Sequence, residues 1–361
     1  ETLRADLQSL ADDLADAKEY GSIIDVSPVD FDALLARFEE IRAGDSGDLF
    51  EAANRQLALD VVLPLVRQAQ VMAQKYDVVV TNPPYMGASG MSEKLSGYIK
   101  TYYPDSKSDL FACFIEKGNS MTKPNGYNCM VTMQSWMFLS SFEKLREKIL
   151  KEKTITNLMH MENMVMGIAF GTAVTVFQNA VVQGYKGTYN HIKLQDIENA
   201  EPKEFPVQGN RFAQVSAANF SKIPGSPIAY WVSERFVDAF EKGISIDSIS
   251  DFTGSQHITA DNEKFLRFHW EVYRETKWKS YAKGGSFRRW YGNIIHVVDW
   301  SNDAKEFYQN NKTSNLLADK FVDQPGITYT DISSYGTGFR CFTGGAFDKA
   351  GPVICNVNHF I

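Results

Sequence analysis

The stretch Tyr76-Asp-Val-Val-Val-Thr-Asn82-Pro83-Pro84-Tyr85 constrains the fold of this chain more than any other. Val78, Val79 and Val80 form an unalternating apolar run, which predicts a parallel strand covered on both faces. Two prolines then fix φ and remove two backbone donors, so the strand stops and Asn82 stands at its carboxyl end. In open α/β sheets that end is where ligands bind. A plainer alternative is a Pro-Pro turn closing an ordinary strand, with Tyr85 as a core aromatic.

The chain has 361 residues, 44% hydrophobic and 22% charged, which suits a globular protein of two domains. No apolar run approaches a membrane span and no signal peptide is visible. Cys113, Cys129, Cys341 and Cys355 lie far apart, and the six histidines show no ligand spacing, so neither a metal site nor a disulfide framework is expected. A cytoplasmic setting fits. His160, beside an expected strand, reads as structural. The chain opens at Glu1 and ends on the apolar run Asn358-His-Phe-Ile361, which reads as a piece of a longer polypeptide.

Charge is unevenly spread. Residues 1–75 carry 7 basic and 15 acidic side chains, whereas the whole chain has a net charge of −7. From Lys264 to Asn293 the balance reverses: Lys264, Arg267, Arg274, Lys277, Lys279, Lys283, Arg288 and Arg289 face only Glu271 and Glu275. The same stretch interleaves flat rings, among them Trp270, Tyr273, Trp278, Phe287, Trp290 and Tyr291. Lysine and arginine so placed suit phosphate contact, and Gly284-Gly285 permits close backbone approach. Lys283, Arg288, Arg289 and Trp290 are the candidate DNA-binding residues. Solvated surface, with the aromatics as a domain core, is the alternative.

The pattern of elements supports four stretches. Residues 1–75 read as an acidic helical segment, with a helix from Ser27-Pro28 carrying Phe31, Leu34, Leu35, Phe38 and Ile41, and more helix over 50–75 kinked or divided at Pro64. Helix and strand alternate from residue 76 to about 150, which implies a parallel sheet. Within it, 109–121 is helical, Lys123-Pro-Asn-Gly126 is a turn before a strand over 127–133, and 142–152 is helix. Strands over 154–161 and 172–178 arrive without a helix between them and are expected to pair antiparallel. The polar segment 86–108, with a short helix near 95–103, reads as a mobile lid or a passive surface loop. Stretches 76–185, 186–250 and 251–361 are accordingly read as a catalytic half-domain, a connecting region and the start of a recognition domain.

Four motifs carry a resemblance: Glu19-Tyr-Gly-Ser-Ile23, the 76–87 string, Lys283-Gly-Gly-Ser-Phe-Arg-Arg-Trp-Tyr-Gly-Asn293 and Gln324-Pro-Gly-Ile-Thr-Tyr329. Together they resemble the adenine-N6 DNA methyltransferases, and most closely the large methyltransferase of BREX-type phage-defence systems. The resemblance implies the second half of a Rossmann-like class I methyltransferase sheet followed by an α+β target-recognition domain. It also implies S-adenosylmethionine as cofactor, double-stranded DNA as partner, and no metal or membrane. Other phage-defence proteins are further partners on the same ground. Asn82, Pro83, Pro84 and Tyr85 would then be the catalytic, base-holding positions, with Tyr85 a stacking face. In this family an aromatic near the start of the last strand often closes the other side of the flipped base. Phe170 is the nearest candidate, although plain core suits it too.

One family feature is absent from the chain. No Gly-rich turn of the kind that cradles the cofactor precedes Asn82, and Gly336-Thr-Gly338 and Thr343-Gly-Gly345 read as turns in the other domain. The cofactor residues are thus expected upstream, and the fragment alone is expected to be inactive. Two rival readings remain: an RNA or protein-amide methyltransferase of the same sheet, and a DNA-specificity component active only within a larger complex.

Overall fold

In the computed structural model the described residues are 2–44, 47–199, 201–252, 256–273, 276–332, 336 and 338–356. Of the residues singled out above, Glu1, Arg274, Glu275, Thr337 and the end 358–361 lie outside them. The chain divides into two compact units, Glu1–Glu241 and Lys242–Ile361. That division falls inside the stretch 186–250.

The first unit opens with helices α1 (Thr2–Asp13), α2 (Ala17–Tyr20), α3 (Phe31–Ala43), α4 (Leu49–Leu57) and α5 (Leu63–Ala73). α3 starts later than Ser27-Pro28 suggests, because the Asp30 carboxylate accepts the Ala33 N–H at 2.9 Å and so caps it. Leu34 and Phe38 bury against Leu10, Leu63, Val66 and Ala69. α4 runs into α5 through a widened turn, Ala58–Val62, just ahead of Pro64. A widened turn there accommodates the ladder bond that Pro64 lacks.

The sheet is built from β1 (Tyr76–Thr81), β2 (Thr122–Met133), β3 (Thr154–Met161), β4 (Thr172–Gln178) and β5 (Lys186–Ile192), with Phe212–Ser216 as last strand. Their spatial order is β1-β2-β4-β3-β5 and then Phe212–Ser216. β1 and β2 are parallel, and β4 enters antiparallel between β2 and β3. Helices α6 (Glu93–Tyr102) and α7 (Leu110–Met121) connect β1 to β2, and α8 (Glu143–Glu152) connects β2 to β3. This is a Rossmann-like sheet with β4 reversed between β2 and β3, and with Phe212–Ser216 antiparallel to β5 at its edge. Phe111, Ile115, Met130, Trp136, Leu145, Leu158, Phe177 and Tyr189 form its core.

Two local expectations need correction. β1 is not covered on both faces: Val78 and Val80 are 55% and 71% exposed, and among the described residues its one strand neighbour is β2. Valines suit a pleated strand through their β-branching, whatever covers them, so the run alone overstated burial. The Lys123–Gly126 turn lies inside β2. The register jumps from Tyr76 opposite Thr122 to Val78 opposite Tyr127, so the extra residues loop out as a bulge. Asn125 sits there at φ 64°, and a Cβ on Gly126 would lie 2.6 Å from the Asp77 carbonyl oxygen.

The second unit holds two four-stranded sheets. One orders Leu266–Phe268, His296–Asp299, Trp278–Ala282 and Ala346–Phe347, and the other Arg340–Phe342, Gly326–Thr328, Val353–Cys355 and Asp251–Phe252. The helix Asn302–Asn310 packs Ala304 and Tyr308 into a core with Phe265, Tyr281, Trp300 and Phe347. His257 is sealed there among Tyr281, Trp300 and Tyr308.

Burial pushes His257 down to about 4, and does the same to His160 in the first unit. Both are therefore neutral in the fold, and charge more readily once unfolded, near 6.5. Stability from the neutral rings is complete above that value and is lost as pH falls from about 6.5 towards 4, by roughly 3 kcal/mol for each ring. Melting curves at pH 7 and pH 4.5 should show this loss, and His257→Phe should remove its own share while the His160 share remains. An unchanged pH profile in that variant would refute the assignment to His257.

Candidate active site

Thr81 ends β1, and the chain turns so that Pro83 is buried while Asn82 and Pro84 face solvent. The Tyr85 hydroxyl lies 2.9 Å from Asn82 Oδ1 and 3.2 Å from the Val131 carbonyl oxygen, and shares its proton between them. Burial raises the Tyr85 pKa, so the phenol stays a neutral donor. Its ring is held edge-on by Phe111, with centroids 6.1 Å apart, and by Phe170 at 5.6 Å. Phe170 is half-buried. The structure thus brings Asn82, Pro83, Tyr85 and Phe170 together at the carboxyl end of β1 and β2.

A residue that the sequence reading did not single out fixes the turn. Asp109 caps α7 by accepting from Phe111 N–H at 3.3 Å, and it also accepts the Met86 N–H at 3.0 Å. Burial raises its pKa, opposed by these backbone donors. Its place just before an apolar helical run was the available signal.

Segment 86–108, read as a lid or a passive loop, is pinned along its length. The Ala88 N–H donates to Ser108 O at 3.2 Å, and Leu95 and Ile99 of α6 bury against Ile23. Tyr103 donates to the Ile23 carbonyl at 2.8 Å, Lys94 pairs with Asp16 at 2.8 Å, and Tyr20 stacks on Tyr98 at 4.5 Å. The buried Lys117 ammonium donates to Ile24 O and Asp25 Oδ1, each at 2.6 Å. The Glu19–Ile23 motif therefore belongs to a strap across α6 and α7.

In the second unit, Lys283 is paired with Asp348 at 3.3 Å. Arg288, Arg289 and Trp290 are exposed, and neither arginine has a carboxylate partner among the described residues. The Arg289 guanidinium lies 5.8 Å from the Phe287 ring centre. Their loop is held from below: Trp290 N–H donates to Phe339 O at 3.0 Å, Asn293 Nδ2 to Ser286 O at 2.7 Å and Thr330 Oγ1 to Gly285 O at 3.1 Å. A Cβ on Gly284, at φ 70°, would lie 2.4 Å from the Ala350 carbonyl oxygen. Among the described residues no group of three His, Cys, Asp or Glu side chains is placed to hold a metal ion. No helix among them is long and apolar enough to cross a membrane.

A mixed sheet with this turn at a parallel strand's carboxyl end defines a Rossmann-like class I methyltransferase fold. The family model of the Eco57I restriction-modification methylase matches residues 25–165. Over 95% of its length the chain is 35% identical to the adenine-specific methyltransferase BrxX of Escherichia coli O9:H4 (strain HS), and covers 29% of that protein. Over 92% of its length it is 34% identical to the adenine-specific methyltransferase PglX of Lacticaseibacillus casei (strain Zhang), covering 30% of it. The chain is similar to both relatives over nearly its whole length, and spans about three-tenths of theirs. The Type IIL restriction-modification enzyme MmeI in complex with DNA aligns with 82% of this chain and 43% of its own, at 14% identity and a TM-score of 0.44.

Proposed function

We propose that this chain supplies the target-base side of a DNA adenine-N6 methyltransferase, with S-adenosylmethionine as methyl donor. The observation that carries this reading is the Asn82–Tyr85 turn, held on the sheet end with Asn82 exposed and its Oδ1 accepting from the Tyr85 hydroxyl. An exocyclic amine is a poor nucleophile because its lone pair is delocalised into the ring. Asn82 Oδ1 and the Pro83 carbonyl oxygen are the acceptors for its two N–H groups, and accepting them localises that lone pair. Oδ1 has two lone pairs, so the Tyr85 hydroxyl and a base proton are accommodated together. Tyr85 and Phe170 provide the rings beside which the base lies. Positioning and hydrogen-bond polarisation are what this chain contributes to the rate.

The cofactor when bound supplies a sulfonium methyl group. Among the described residues no Gly-rich turn follows a parallel strand ahead of β1, and the outer edge of β1 has no neighbour. The described residues therefore do not make a cofactor cradle. A target base within a duplex must leave the stack at a cost of a few kcal/mol, offset by grip on the backbone, for which Arg288 and Arg289 are the proposed residues. Action in a bacterial phage-defence system belongs to the same proposal and rests on likeness to the family.

The test is transfer of labelled methyl from S-adenosylmethionine by the full-length protein, offered duplex DNA, RNA and protein side by side. Label recovered from DNA as N6-methyladenine is the expected result. Label in RNA or protein instead would overturn the reading.

A further inference from the structure

Three residues at the ends of three different strands meet beside the base-holding turn. Gln134 follows the last residue of β2, Gly171 precedes β4, and His160 is the penultimate residue of β3. The registers place them side by side, since Met133 lies opposite Thr172 and His160 opposite Ala173. The Gln134 N–H donates to Gly171 O at 3.0 Å, and Phe170 is the ring packed on Tyr85. The Gln134 carboxamide therefore lies one residue from the base-stacking pair.

Its orientation is set by a buried chain of hydrogen bonds. His160 Nδ1 lies 3.1 Å from the Tyr230 hydroxyl, and His160 Nε2 is bonded to Gln134 Oε1. Tyr230 is buried, and its hydroxyl has no other acceptor among the described residues, so it satisfies its proton by donating to Nδ1. Burial holds the imidazole neutral, so its single N–H sits on Nε2 and points at the Gln134 oxygen. The carboxamide cannot flip without facing N–H to N–H. Its Nε2 is left with two donors and no partner among the described residues.

Gly171 makes room for this group. A Cβ there would lie 2.4–2.5 Å from all three heavy atoms of the carboxamide.

We propose that Gln134 Nε2 donates to a ring nitrogen of the target base, making it a specificity residue for an amino group flanked by an unprotonated ring nitrogen. This rests on the reading of Asn82–Tyr85 as the base-holding turn. Asn82 and Pro83 accept from the amine, and Gln134 donates to the ring, so a keto base with a protonated ring nitrogen is refused at both points. His160 and Tyr230 act as positioning residues, since their hydrogen bonds run to the carboxamide and to one another and not to the base.

The test uses the full-length protein and a duplex carrying the adenine site mapped in host DNA. The target adenine is replaced in turn by 1-deaza-, 3-deaza- and 7-deazaadenine, each exchanging one ring nitrogen for C–H. With the wild type, the 1-deaza analogue should lose about 10- to 100-fold in kcat/KM while the other two change little, and a loss confined to either of those would overturn the proposal. Gln134→Met should lose a similar factor on adenine and no longer distinguish that analogue. Gly171→Ala keeps the glutamine but displaces its carboxamide, and should behave likewise. If the variants keep the wild-type ratio for all three analogues, Gln134 does not read the ring and the proposal falls. A wild type that transfers no methyl to DNA removes the base-holding reading itself, and the proposal with it.

Discussion

Asn82→Ala in the full-length protein should lower methyl transfer by about 100- to 1000-fold, the scale of losing one preorganised hydrogen-bonding group at a reacting centre. DNA affinity should stay nearly unchanged, because Asn82 meets one amine and no phosphate in the proposed complex. Stability should hardly move either. Asn82 is exposed, and the Tyr85 hydroxyl keeps the Val131 carbonyl as acceptor when the carboxamide is removed. Single-turnover transfer and equilibrium binding measured on one preparation separate the two effects. Retained transfer would remove Asn82 from the chemistry.

The second large effect is expected on binding. Replacing Arg288 and Arg289 together with glutamine should weaken DNA binding. The slope of log K against log salt should become shallower by about 2, near one phosphate for each arginine. Lys283→Gln should do less, since Asp348 already neutralises that ammonium. Transfer at saturating DNA should survive the double substitution. An unchanged salt slope would place the phosphate contacts elsewhere. Because both arginines are exposed and lack carboxylate partners among the described residues, their loss leaves no buried charge behind.

What was legible in the sequence followed from local chemistry. The bounds of β3 and β4 and their antiparallel pairing came from β-branched runs with no helix between them, and the prolines placed Asn82 at a strand end. What was not legible depends on distant parts of the chain. The exposure of Val78 and Val80 depends on what stands beside β1, which valine does not encode. Lys283 looked like its neighbours until folding brought Asp348, 65 residues away, against it. Gln134 carried no signal at all. A glutamine after a strand is unremarkable until His160 and Gly171 arrive from two other strands. Phe170 shows the same limit: its pattern suited a core residue, and only the fold sets its ring beside Tyr85.

The strap over α6 and α7 also has a kinetic side. Its ion pair joins Asp25 to Lys117 across 92 positions, whereas α7 and β2 meet through near neighbours in the chain. Loop-closure entropy rises with separation, so contacts of that span are rewarded only after the intervening chain is already compact. The sheet end that bears Asn82 can therefore be assembled from residues 76–178 first, with the strap closing over it as a later event. During synthesis the order is reversed: the strap emerges from the ribosome first and must wait, unpaired, for the helices it will hold.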